Sequence, residues 1–248
     1  MKTAIIGTRI EHASYLGCME LISTWMPGRE SRYVCIANVH TIMEAYDSVD
    51  FKGLINDADL VTSDGMPLVW MMRAKGIKRQ ERVYGPTLML RTIEMAAREN
   101  IPVGFYGGEP EVLESLVYQM QARYEGLLVV FSCSPPFRTM SSEEDSSIVQ
   151  QINRSGARIL FVGLGCPKQE YWMANHRGRV HAVMMGVGAA FDFHSGMKPQ
   201  APVWIQAMGL EWLFRLFYEP RRLWRRYLFH NPRFMVLAIA DLLGLIRE

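Results

Sequence analysis

The sequence predicts an α/β fold in which helices cover both faces of a parallel sheet. Two observations predict it. Short apolar runs of strand length alternate with longer segments whose apolar residues recur at helical spacing. The strand-like runs are also apolar throughout rather than at every second residue, as a strand buried on both faces requires.

The elements follow in order. "YVCIANVH" reads as a buried strand ending at Asn38, and "TIMEAYDS" as the helix after it. "ADLVTS" is the next strand, and "PLVWMMRAKG" a helix closed by Gly76. "PTLMLRTIEMAAREN" is a helix with Pro86 in its first turn, where a missing N–H costs nothing. "IPVGFYGG" is a strand running into a Gly-Gly turn; "PEVLESLVYQMQARYEG" is a helix that starts near Pro110 and stops at Gly126. "LLVVFSC" is a strand. After the loop "SPPFRT", "SSEEDSSIVQQINRSG" has the Ser, Glu and Asp residues of a capped helix start. "ARILFVGLG" is a strand, "PKQEYWMANH" a helix and "HAVMMGVG" a strand.

Past about Gly196 the chain changes character. No strand-like run remains, and Arg215, Arg221, Arg222, Arg225, Arg226, Arg233 and Arg247 are interleaved with Trp, Phe and Tyr. Two or three helices are expected there, broken near Pro220 and Pro232. The expected organisation is a Rossmann-like α/β catalytic core over residues 1–195 and a helical, Arg- and aromatic-rich appendage over 196–248.

Bulk properties exclude several classes. The 248 residues suffice for a sizeable core, and a net charge of +2 gives no reason to expect nucleic acid. Cys18, Cys35, Cys133 and Cys166 form no C-x-x-C pair, which suits buried thiols in a reduced, cytoplasmic setting. The start, "MKTAIIGTRIEHAS", has too short an apolar run for a secretory signal. "FMVLAIADLLGLI" is too short to span a bilayer and contains Asp241.

Ligands of parallel sheets bind beyond the carboxyl ends of the strands. Asn38, Asp64, Gly107-Gly108, Gly163-Leu164-Gly165 and Gly186-Val187-Gly188 all fall at predicted strand ends. Asp64 in "SDG" has two readings: its carboxylate shapes a turn, or it accepts a proton from a substrate hydroxyl. The glycine turns "VGLGCPKQE" and "MGVGAAFDF" suit a diphosphate approaching the backbone, but neither is a G-x-G-x-x-G fingerprint, which disfavours an NAD-dependent oxidoreductase. Gln169 reads as a surface residue or as an amide within reach of a ligand. Arg82 reads as a solvated loop arginine or a phosphate partner. Asp57 and Asp59 read as a solvated helix-to-strand connection. The histidines show no paired ligand spacing, and Asp192 and His194 read as structural. The C-terminal arginines suit a face packed on the domain, a nucleic-acid surface, or a surface resting on anionic lipid; the mixture with bulky apolar residues favours lipid.

The segments "IANVHTIMEAY", "ADLVTSDGMPLVW", "RVYGPTLM", "FYGG", "LFVGLGCPKQEYWMANH", "GVGAAFDFHSG" and "QAPVWIQAMGLEWLFRLFYEPRRLWRRY" resemble the WecG/TagA/CpsF family of bacterial glycosyltransferases. The resemblance implies a UDP-sugar-dependent hexosyltransferase: inverting, metal-independent, without cofactor. Its implied acceptor is a polyprenyl-diphosphate-linked monosaccharide at the inner face of the cytoplasmic membrane, and its product serves a surface polysaccharide. The implied general base is Asp64. The implied substrate-binding residues are Asn38, Thr41, Arg82, Gln169, Arg215, Arg222 and Arg225, beside the strand-end glycines Gly107, Gly163, Gly165, Gly186 and Gly188. An anionic membrane surface is an implied partner and nucleic acid is not; the sequence leaves a homo-oligomer open. The chain departs from the family's usual pattern at "IANVHT", at Thr87 and at "SDGMP", around the implied donor and acceptor pocket. The alternative is a noncatalytic nucleotide- or lipid-binding scaffold of a polysaccharide assembly.

Overall fold

The computed structural model describes residues 1–246; Arg247 lies outside the described residues. The chain opens with β1 (Lys2–Ile5) and β2 (Thr8–Glu11), an antiparallel hairpin the sequence reading did not assign. Its turn holds Ile6 and Gly7 at φ of 50° and 79°, the positive values that match strand twist in tight hairpins. Then come α1 (Tyr15–Trp25), β3 (Arg32–Ala37), α2 (Val39–Asp47), α3 (Val49–Asn56), β4 (Leu60–Ser63) and α4 (Met66–Ala74). The alternation continues through α5 (Gly85–Arg98), β5 (Val103–Gly107), α6 (Pro110–Arg123), β6 (Val129–Cys133), α7 (Ser142–Ser155) and β7 (Ile159–Gly163). It closes with α8 (Lys168–Asn175), β8 (Val183–Gly186) and α9 (Ala190–His194). The C-terminal segment is helical: α10 (Val203–Ala207), α11 (Glu211–Tyr218) and α12 (Pro220–Leu242).

Six strands form a parallel sheet in the order β4-β3-β8-β7-β5-β6, flanked by helices: a Rossmann-like α/β architecture. Strand β6 departs from the expectation of burial on both faces, because alternate residues are exposed. It is last in the strand order, and an edge strand has one flank without a neighbour. Asn38 and Asp64 directly follow β3 and β4, and Gly107, Gly163 and Gly186 end β5, β7 and β8. All five therefore stand at carboxyl ends of strands, as the sequence predicts.

The chain divides into two compact units, one of residues 1–14, 36–84 and 200–248, the other of residues 15–35 and 85–199. In the second, Phe105 stacks on Phe161 at 5.4 Å between ring centres and meets Phe191 edge-on at 5.9 Å. These rings are buried, as are Ile159, Val183 and Met184 beside them on the sheet. Burying each such side chain contributes about 1.5–3 kcal/mol. Helix α7 begins with the expected capping box: Glu144 N donates to Ser141 Oγ, and Ser141 N to the Glu144 carboxylate at 2.9 Å.

In the first unit, Ser48 ends α2 and caps α3 by accepting from Phe51 N at 3.2 Å, which breaks the helical stretch into two. Helix α12 runs through Pro232, where the sequence reading expected a break. Proline removes one helical hydrogen bond, but α12 is tied down on both sides of it. His230 faces His40, and Arg233 makes a two-pronged ion pair with Asp47 at 2.6 and 2.9 Å. Further along, Lys75 Nζ donates to Asp241 Oδ1 at 2.8 Å, and Ile6 N to Asp241 Oδ2 at 3.1 Å. The carboxylate that argued against a membrane span thus caps the strained hairpin turn.

Candidate functional site

The polar site of the first unit is assembled where β4 ends. Asp64 N donates to the carbonyl of Ala37 at 2.8 Å, which ties the ends of β4 and β3 together. The segment after α4 folds back across this point because Gln80 anchors it. Gln80 is 3% exposed, and its amide donates to Ala13 O, Ser63 Oγ and Glu81 O at 2.9, 3.1 and 2.9 Å. Val83 N donates to Ser63 O at 2.9 Å. Arg82 is thereby delivered to Asp64, with its Nε donating to the Asp64 carbonyl oxygen.

The guanidinium of Arg82 then reaches α11. Its Nη2 donates to Glu211 Oε2 at 2.6 Å, and Tyr84 OH donates to Glu211 Oε1 at 3.0 Å. Arg82 also lies over the Tyr84 ring, 4.1 Å from its centre. Burial alone would loosen the Arg82 proton, but the carboxylates of Asp64 and Glu211 outweigh it and hold the group above its usual pKa. Burial, then the charges of Glu211 and Asp64, push the Tyr84 phenol far above its ordinary range. Arg215 is held above its usual value in the same way: burial opposes the charge, and Tyr227, Glu211 and Glu219 more than restore it.

These groups line a cavity of about 610 Å³. Asn38, Asp64, Arg82, Gln206, Glu211, Arg215 and Arg226 supply its polar wall. Along α12 the lining then changes from Arg226 and His230 to Phe234, Ala238 and Leu242, spaced one helical turn apart. The facing helix α4 contributes Met66, Pro67, Trp70, Met71 and Ala74, and Lys75 at its end bonds Asp241 on α12. One end of the cavity is therefore charged and the other is an apolar trough between two helices. Gly209, at φ +73°, packs against Trp70; a Cβ there would come within 2.7 Å of the indole.

Of the residues the sequence nominated in this unit, Asn38, Asp64, Arg82 and Arg215 come together on this wall. Asn38 also caps α2, its Oδ1 accepting from His40 N and Thr41 N at 3.0 and 3.3 Å. Thr41, 1% exposed, completes that cap by accepting from Asn38 N, so it serves the helix start rather than the cavity wall. Arg222 bonds Glu219 at 2.6 Å and Arg225 lies over Trp224; neither lines the cavity. Arg226 does, and the sequence reading did not single it out. Its helical spacing with His230, Phe234 and Ala238 was the available signal.

In the second unit, close packing accounts for three of the strand-end glycines. Gly107, at φ +119°, faces Gly163 so tightly that a Cβ would lie 2.6 Å from the Gly163 carbonyl carbon. A Cβ on Gly163 would strike the Phe191 ring, and one on Gly186 would meet the end of Met173. Gly165 N donates to Gln169 Oε1 at 3.2 Å, and Gln169 Nε2 donates to Glu170 Oε1 at 2.9 Å. Gly188 lies against the same amide. The surface reading of Gln169 is corrected: it is 4% exposed and Glu170 1%, an enclosed polar pair behind the glycine turns. Asp192 pairs with Lys198 at 3.0 Å, and His194 Nε2 donates to Pro86 O at 2.9 Å, structural roles as read.

The site offers a carboxylate beside enclosed cations, suited to moving a proton while stabilising an anion. No helix among the described residues is long and apolar enough to cross a membrane. The chain matches the model of the glycosyl transferase WecG/TagA/CpsF family over residues 3–248. It belongs to that family: it is a glycosyltransferase of cell-surface polysaccharide synthesis, which takes a sugar from a sugar nucleotide to a glycan acceptor.

Proposed function

We propose that this family member is an inverting hexosyltransferase that moves a sugar from a UDP-sugar to a polyprenyl-diphosphate-linked monosaccharide, with no metal ion in the bond-making step. The observation that carries this reading is the cavity wall on which Asp64 stands with Arg82, Arg215 and Arg226, continuous with an apolar trough. The Asp64 carboxylate takes the proton of the acceptor hydroxyl as its oxygen attacks the anomeric carbon. The bond from that carbon to the diphosphate oxygen breaks, and UDP leaves with the electron pair. Charge building on the diphosphate is met by Arg215 and Arg226, enclosed cations that need no reorganisation at that moment. Arg82, engaged by Glu211, holds the loop that presents Asp64.

The trough of Trp70, Met71, Ala74, Phe234, Ala238 and Leu242 has the chemistry to take the first isoprenoid units of the acceptor. Outside it, Val203, Trp204, Phe217, Leu228, Phe229 and Val236 are exposed on the C-terminal helices, beside exposed Arg221, Arg222 and Arg225. Apolar side chains flanked by arginines suit a surface resting on anionic lipid, at the inner face of the cytoplasmic membrane. On this reading residues 196–248 act as a membrane-seated appendage to an α/β catalytic core. The test is a screen of UDP-sugars against one polyprenyl-diphosphate-linked acceptor, read by product mass. A product heavier by one hexose unit supports the reading. Nucleotide binding without product for any donor overturns it in favour of the scaffold.

A further inference from the structure

Two helices bring three metal-ligating groups to one point beside the polar wall. His40 stands in the first turn of α2, with Glu44 four residues on and so on the same face of that helix. His230 reaches across from α12. The two imidazole Nδ1 atoms are 3.1 Å apart, and His40 Nδ1 is 3.5 Å from Glu44 Oε1. One ligand atom from each of the three residues falls within 4.8 Å of the others. Among the described residues this is the group of His, Cys, Asp and Glu side chains that meets such a spacing.

We propose that His40, Glu44 and His230 bind one divalent transition-metal ion of the zinc class. Metal-to-ligand lengths of about 2.0–2.1 Å in a tetrahedral site place neighbouring ligand atoms about 3.3–3.4 Å apart. The His40–His230 and His40–Glu44 separations of 3.1 and 3.5 Å bracket that value, and the third pair lies within 4.8 Å. Two imidazoles and one carboxylate are a borderline-soft set that favours zinc over magnesium or calcium, which prefer all-oxygen shells. A proton shared between the imidazoles would join one pair only, whereas an ion joins all three groups. With three protein ligands, the fourth position remains for water, facing the cavity that His40 and His230 both line. The charged groups facing His230 from the two helices are Glu44 and Asp47 on α2 and Arg226 and Arg233 on α12, of which Asp47 and Arg233 pair with each other. The ion's role is mechanical: it clips α12 to α2 and so holds the cavity wall in register. It is independent of the transfer chemistry proposed above.

The test uses the full chain, stripped with a chelator and titrated with zinc against a competing indicator dye. The expected result is one ion per chain, a raised melting temperature with zinc, and affinity lower by about 100-fold or more in His230→Ala and Glu44→Gln. His181→Ala, an exposed histidine elsewhere, serves as control and leaves the affinity unchanged. Cobalt(II) added to the unmutated chain gives intense visible bands of tetrahedral geometry, a readout that does not depend on any variant folding. No stoichiometric binding, equal affinity in both variants, or only the weak spectrum of octahedral cobalt overturns the site and leaves a shared proton between the rings.

Discussion

Arg82 and Glu211, 129 residues apart, are joined by a charge-assisted hydrogen bond of 2.6 Å, and both side chains are largely enclosed. This pair connects the segment after α4, whose Arg82 also holds the Asp64 carbonyl, to the first turn of α11. Glu211→Gln keeps the shape and removes the charge. Hydrogen bonds to charged groups contribute about 1.5–3 kcal/mol, so stability should fall by about that amount. Tyr84→Phe, which deletes the second donor to Glu211, should cost about half as much. Denaturant midpoints of the two single variants and the double variant give the coupling directly.

Asp241 serves Lys75 and the backbone N–H of Ile6 at once. Asp241→Ala leaves that N–H without its carboxylate in a turn already strained by a β-branched residue at φ 50°. A loss of about 2–4 kcal/mol is expected, against less than half of that for Asp241→Asn, which retains an acceptor. Urea unfolding of the two variants checks the order.

Gly107→Ala should destabilise the chain by at least about 2 kcal/mol, since the added carbon meets backbone rather than a side chain that can swing away. Gly165→Ala meets open space and pays only for its positive φ. A smaller loss at Gly165 than at Gly107 in thermal unfolding is the expected outcome.

Burial depresses the pKa of His194 below its ordinary value and outweighs its bond to Pro86 O, which pulls the other way. The unfolded chain therefore binds a proton near pH 6.5 that the folded chain refuses until the pH is lower. Stability should be undiminished above about pH 7 and fall as the pH drops through 6.5 toward the folded pKa. His194→Gln should flatten that part of the stability profile.

Much of the fold was legible because the parallel strands other than β6 are mostly apolar runs followed or ended by Asn, Asp or Gly. That placed Asn38, Asp64 and the glycines at strand ends. The β1–β2 hairpin was not legible, since its strands have four residues each and its turn is Ile-Gly rather than Asn-Gly. Pro232 misled because local propensity was outweighed by tertiary anchors on α12. Gln169 reads locally as a surface residue or a ligand-facing amide because nothing local marks a buried one; its partners are a turn N–H and Glu170. His40 and His230 have no meaningful sequence spacing, being 190 residues apart, and only the packing of α12 on α2 brings them together. Arg226 was hidden among seven arginines, and the face of α12 that lines the cavity distinguishes it.

The most direct test of the account is turnover by Asp64→Asn set beside its affinity for UDP. A lost general base lowers the rate by about 10²–10⁴-fold. The account predicts a fall of that size in sugar transfer with UDP binding changed less than about twofold, as befits a residue that acts on the acceptor hydroxyl. Transfer at the unmutated rate would contradict it.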